Sequence, residues 1–90
     1  MSRSINQWRV DVMIGEDDGA TYAEARLVTE IGDRLVGVGR ARVSPDDYDI
    51  PEIGDEVAAA RALLDLGHKL LNTASGDIRA VTGEPAHVHT

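Results

Sequence analysis

The segment RLVGVGRARV, residues 34–43, places the tightest limit on what this chain can fold into. It alternates as a β-strand: Leu35, Gly37, Gly39, Ala41 and Val43 fall on one face, and Arg34, Val36, Val38, Arg40 and Arg42 on the other. Glycines weaken a strand interior unless something needs the space their missing side chains leave. One use of such space is a phosphate cradle, but the dinucleotide fingerprint needs a third glycine at position 42 and a helix straight after it. Position 42 is Arg, and the strand pattern continues through Val43. What remains is close approach by another backbone across a face nearly bare of side chains at its centre.

Two further runs share the period of two. In WRVDVMI, residues 8–14, Trp8, Val10, Val12 and Ile14 alternate with Arg9, Asp11 and Met13, the pattern of a half-buried strand. GEDDGA (15–20) is read as an acidic hairpin turn, since it lacks the alternating oxygen ligands of a calcium loop. In TYAEARLVTEI (21–31), Ala23, Ala25, Leu27 and Ile31 share one face, and Tyr22, Glu24, Arg26, Val28 and Glu30 the other. A tight turn at Gly32 and Asp33 leads into the glycine strand.

The packing partner is the stretch DEVAAARALLDLGHKLLNTAS (55–75), rich in Ala and Leu and free of Pro. At 100° per residue, Ala60, Leu63, Leu64, Gly67, Leu70, Leu71 and Ala74 gather on one side and Arg61, Asp65, His68, Lys69 and Asn72 on the other. A mid-helix glycine costs about 1 kcal/mol relative to alanine, so Gly67 is assigned to the seam with Gly37 and Gly39. The loop before the helix carries Asp46, Asp47 and Asp49 between Pro45 and Pro51, while Glu52, Asp55 and Glu56 suit the positive end of the helix dipole. After Asn72 the pattern breaks, and a cap at Ser75 or Asp77 predicts a short second helix with Ile78 and Val81, ended by Gly83 and Pro85. The expected fold is α+β: a three-stranded antiparallel sheet packed on one long helix, with a short C-terminal helix.

Ninety residues make one domain, with an ordered core over about 7–83 and a frayed tail at 86–90. There is no cysteine, which removes disulfides, thiolate metal sites and cysteine nucleophiles. No apolar run reaches membrane-spanning length, and the N-terminus has no apolar stretch of a signal peptide, so a cytoplasmic location is expected. The net charge of −7 is lopsided: residues 1–44 hold six Arg against seven acids, residues 45–90 three bases against nine. Such a chain is a poor general nucleic-acid binder, which needs clustered Lys and Arg. His87 and His89 have no companion ligand close by in sequence, and no Ser, Thr or His is paired with an evident base. No catalytic residue, metal or cofactor is assigned, and the chain is read as non-enzymatic.

If the helix covers one sheet face, the other meets solvent or a partner. By parity that face carries Arg9, Arg26, Arg40 and Arg42, the candidate binding face, together with Met13, Val28, Val36 and Val38. Those four apolar residues, with Leu66 and Leu70 on the helix, are candidate contacts of a homodimer.

The pieces LVGVGRARVSP, PEIGDEVAAARALLDLGHKLL and DIRAVTGEPA, within residues 8–86, resemble a small actinobacterial family of uncharacterised proteins. That family is classed with the double-stranded-RNA-binding-domain-like fold, and some of its members belong to the dormancy regulon. The resemblance implies a β-β-β-α dimer shaped somewhat like ribosome hibernation factors, and with it a stress-linked role at the ribosome. RNA-binding domains of that fold set lysines at the start of the long helix. Here Glu52, Asp55 and Glu56 stand there, which argues against duplex RNA bound in the usual mode. The resemblance, taken with the arginine-bearing sheet face, implies a small non-enzymatic dimeric binding protein acting in stress or dormancy on the ribosome or a protein partner. The alternative is an accessory subunit docking a basic protein through its acidic half.

Overall fold

The computed structural model describes residues 4–29, 32, 34–42 and 51–83. Its elements are β1 (Arg9–Asp17), β2 (Ala20–Val28), β3 (Arg34–Arg42) and α1 (Pro51–Thr82), the strands forming one antiparallel sheet in the order β1-β2-β3. The α+β architecture is the one expected. Asp46, Asp47 and Asp49 of the acidic loop, Glu30 and Asp33 near the second turn, and His87 and His89 of the tail lie outside the described residues.

The first hairpin closes through Asp18 and Gly19, both with positive φ (51° and 74°). Paired positive φ values give the tight turn whose twist matches the flanking strands, and Asp-Gly is a favoured sequence for it. The register is unbroken from Asp17↔Ala20 to Arg9↔Val28, so β1 runs three residues beyond the predicted end at Ile14. At the second turn the Gly32 amide donates to the Thr29 carbonyl at 3.0 Å.

The seam between sheet and helix sits where the glycines of β3 predict it. A Cβ built on Gly37 would collide with the Ala62 carbonyl oxygen and the Leu66 amide, and would lie 2.7 Å from Leu66 Cβ. One built on Gly39 would collide with the Ala58 carbonyl oxygen and the Ala62 amide, and would lie 2.8 Å from Arg61 Cβ. Helix backbone rests directly on strand backbone. A contact that close excludes large side chains from both sides.

This steric demand corrects the predicted face of the helix. The residues against the sheet are Gly54, Ala58, Ala62 and Leu66, with Leu70 packed at the margin. Leu63 and Leu64, at 46% and 65% exposure, lie outside the seam, and nothing stands within 4 Å of a Cβ built on Gly67. The apolar arc was centred on the leucines, but only Gly and Ala at spacing four let the backbone descend to Gly37 and Gly39. Gly54 takes the role assigned to Gly67: a Cβ there would meet Thr21 Oγ1 at 2.8 Å. Leu66 belongs to the core, so it offers no free dimer contact.

A second correction concerns the helix end. α1 is one continuous helix of 32 residues, with no break at Ser75 or Asp77. Ser, Gly and Asp lower helix propensity by less than about 1 kcal/mol each, and no Pro interrupts the helix after its first residue. The Thr73 and Thr82 hydroxyls donate to carbonyls one turn back, and Gly83 (φ 74°) ends the helix with its amide on the Arg79 carbonyl at 2.7 Å. Thirty-two residues span about 48 Å, against a longest molecular dimension of 54 Å.

Among the described residues the buried core is thin: Ala23, Ala25, Leu27, Ala58, Ala62 and Leu66. α1 lies over β2 and β3 and scarcely touches β1. Every residue of β1 is consequently exposed, including Val10, Val12 and Ile14, which parity had placed on a covered face.

Candidate binding face

Strand registers fix what the uncovered side of the sheet presents. Across β1, β2 and β3 its rows read Arg9–Val28–Arg34, Asp11–Arg26–Val36, Met13–Glu24–Val38, Gly15–Tyr22–Arg40 and Asp17–Ala20–Arg42. Arg9, Arg26, Arg40 and Arg42 thus share one surface, joined by Arg34, which strand parity already placed there. Among the described residues of this face five arginines stand against three carboxylates, a locally basic surface on a chain of net charge −7.

The guanidinium groups differ in how they are held. Arg9 Nε donates to Asp11 at 2.9 Å, and Arg26 donates to Glu24 Oε2 from Nε at 3.0 Å and Nη2 at 2.6 Å. These exposed pairs orient the side chains more than they stabilise the fold, since surface pairs contribute roughly 0–1 kcal/mol. Arg40 lies 4.9 Å above the Tyr22 ring, a cation–π contact across the register pair. Arg34 and Arg42 have no ion pair among the described residues. Between the charges stand Met13, Tyr22, Val28, Val36 and Val38, all exposed. A shallow depression of about 520 Å³ runs beside Asp11, Arg26, Val28, Arg34 and Val36. Rigid apolar patches ringed by arginine suit the docking of a large partner rather than the enclosure of a small substrate. Among the described residues no group of three or more His, Cys, Asp or Glu comes together to hold a metal.

The outer edge of β3 is closed by the helix. The Val38 amide donates to Asp65 Oδ2 at 2.8 Å, Lys69 Nζ donates to the Val36 carbonyl at 2.7 Å, and Arg61 Nη1 to the Arg40 carbonyl at 2.6 Å. Lys69 also pairs with Asp65 at 3.0 Å. The Val38 amide, and after it Lys69, holds the Asp65 carboxyl below its ordinary value of 3.8. The helical periodicity puts Arg61, Asp65 and Lys69 on the side opposite the leucines. They turn toward β3 because its outward backbone groups need partners.

The fold has counterparts among known proteins. The Rv2632c-like family model matches residues 6–87. The chain belongs to the Rv2632c-like family. The uncharacterised protein Mb1767 of Mycobacterium bovis is 49% identical over 84 residues, covering 93% of this chain and 88% of that protein. The uncharacterised protein Rv2632c of Mycobacterium tuberculosis is 48% identical over 77 residues, covering 86% and 82%. The crystal structure of Rv2632c superposes with a TM-score of 0.83 at 44% identity, over 94% of this chain and 100% of that one. The Rv2632c-like fold is therefore a three-stranded sheet on a single long helix, and the actinobacterial kinship expected from the sequence holds. Among the described residues of this Rv2632c-like chain, no helix is long and apolar enough to cross a membrane.

Proposed function

We propose that the protein is a non-enzymatic, homodimeric binding protein of the cytoplasm that associates with the ribosome under stress or dormancy, through the uncovered face of its sheet. One observation carries this reading: Arg9, Arg26, Arg34, Arg40 and Arg42 stand on a single rigid surface, interleaved with exposed apolar side chains. Guanidinium groups at fixed spacing on strands suit phosphate or carboxylate recognition, and the interleaved Val, Met and Tyr supply contact area. The double-stranded-RNA-binding-like order of three strands and then a helix is consistent with this placement. The first turns of α1 hold Glu52, Asp55 and Glu56 in place of a lysine cluster, so the partner meets the sheet and not the helix start.

Co-sedimentation with ribosomes across a salt series tests the reading. Wild-type protein is expected to pellet with ribosomes at low salt and to dissociate as salt rises. Arg40→Glu/Arg42→Glu removes two cations, so binding should weaken and the salt dependence flatten by about two ion equivalents at most. No association at any salt refutes the ribosomal partner. Association unchanged by the double substitution refutes the face.

A further inference from the structure

The two edges of the sheet are treated oppositely. Along β3, Arg61, Asp65 and Lys69 bond to the Arg40 carbonyl, the Val38 amide and the Val36 carbonyl, all facing outward. Along β1 nothing comparable exists among the described residues. In a hairpin closed by two residues, those flanking the turn exchange hydrogen bonds, and the pattern alternates from there. Asp17, Gly15, Met13, Asp11 and Arg9 therefore bond to β2, and Ile14, Val12 and Val10 present amides and carbonyls outward. The outward set on β3, deduced in the same way, is Arg34, Val36, Val38, Arg40 and Arg42, and the helix bonds to its three central members.

An open edge of nine regular residues with no Lys, Pro or bulge invites another strand. Its helix-side face adds apolar surface: Val10 and Val12 are each 39% exposed and Ile14 44%. Arg61 reaches β3 from one flank of α1, so Leu63, on the opposite flank, turns toward β1 and stays open as well. We infer that β1 is the homodimer seam: β1 of two copies pair antiparallel, joining two three-stranded sheets into one of six strands. The inference rests on the homodimer reading above and supplies its interface.

Charge selects the second copy, and its direction. β1 begins with Arg9 and ends with Glu16 and Asp17. With antiparallel pairing Arg9 faces Gly15 of the second copy and has Asp17 as its diagonal neighbour at each end, whereas in-register parallel pairing sets like on like. A two-fold axis at Val12 places Val12 against Val12 of the second copy and Val10 against Ile14, so all three apolar residues meet apolar partners. A core with four alanines and two leucines among the described residues gives each copy reason to bury more. The outer faces of the two sheets would then form one continuous surface carrying both sets of arginines.

Sedimentation equilibrium of the full chain over about 1–200 μM, with circular dichroism as a check on folding, tests this. Wild type should be a dimer, and its single tryptophan, Trp8, immediately before β1, should shift its emission to the blue with concentration. Val12→Lys should raise the dimer dissociation constant at least about tenfold by placing a charge in the apolar seam, whereas Val38→Lys, on the outer face, should leave it within about threefold. On dimerisation the amides of Val10, Val12 and Ile14 should become protected from hydrogen exchange. A dimer that survives Val12→Lys, or one whose β1 amides stay labile, overturns the seam but keeps the homodimer. A wild-type chain that is monomeric throughout overturns both.

Discussion

Gly39→Ala adds a single methyl group and should be among the costliest substitutions in the protein. The new Cβ would lie 2.8 Å from Arg61 Cβ, where ordinary contact begins at 3.4 Å, and it would press still harder on the Ala58 carbonyl and Ala62 amide. Those last two are helix backbone, so no rotamer change relieves them. The helix must lift by roughly an ångström along β3, loosening the contacts of Ala58, Ala62 and Leu66 with the sheet. Overpacking of this kind costs about 1–3 kcal/mol, and alanine regains only about 0.5–1 kcal/mol over glycine in a strand. Because the clash is with backbone, the net loss should reach about 2 kcal/mol, which lowers the Tm of a chain this size by roughly 8–16 °C. Gly67→Ala is the matched control. Its Cβ meets nothing within 4 Å, so only the helix propensity gain of about 1 kcal/mol applies, and Tm should rise by roughly 4–8 °C. Thermal melts by far-UV circular dichroism at one fixed protein concentration measure both. An undiminished Tm for Gly39→Ala, or a fall for Gly67→Ala, would refute the seam and return the helix to the face suggested by its leucines.

Gly54→Ala should be milder, because its clash is with the Thr21 hydroxyl and not with backbone; a double-mutant cycle with Thr21→Ala should show positive coupling, and strict additivity would contradict the contact. The Asp65 carboxyl sits below its ordinary value, so its stabilising contribution is fully present above 3.8 and is lost as pH falls through the depressed value. Asp65→Asn should therefore flatten the acid limb of a stability-against-pH profile, and a limb of unchanged steepness would show that the Val38 and Lys69 bonds are not made in solution. Arg61→Ala/Lys69→Ala should uncap β3 and give assemblies larger than a dimer by light scattering, since two open edges allow open-ended growth; a double variant of wild-type size would show that these side chains do not guard the edge.

Three strands and the glycine seam were legible because a period of two fixes sides, and because Gly37 and Gly39 have no use on a face that nothing approaches. The register of the first hairpin was less so: Asp18 and Gly19 had to be recognised as a two-residue turn inside a longer acidic stretch. The helix rotation was not legible, for a physical reason. A hydrophobic arc finds where the largest apolar side chains point, and here the closest packing was made by the smallest. The arginine face followed from parity alone, while its Tyr22–Arg40 stacking required the register.

The rotation of the helix also ties the fold to its assembly. Lowering Ala58 and Ala62 onto the two glycines swings Arg61, Asp65 and Lys69 over the β3 edge, and the same movement turns Leu63 toward β1. Had the leucines occupied the seam, those polar side chains would point to solvent and both edges would be open, a sheet prone to unlimited end-to-end growth. Had the helix been centred on β2, the apolar side of β1 would be covered and neither a seam nor a second copy would be needed. The glycines of β3 set the helix off centre, and an off-centre helix leaves one guarded edge and, among the described residues, one open edge. A single open edge can pair once with its own copy and is then used up, so the proposed β1 seam would give a closed pair and not a fibre.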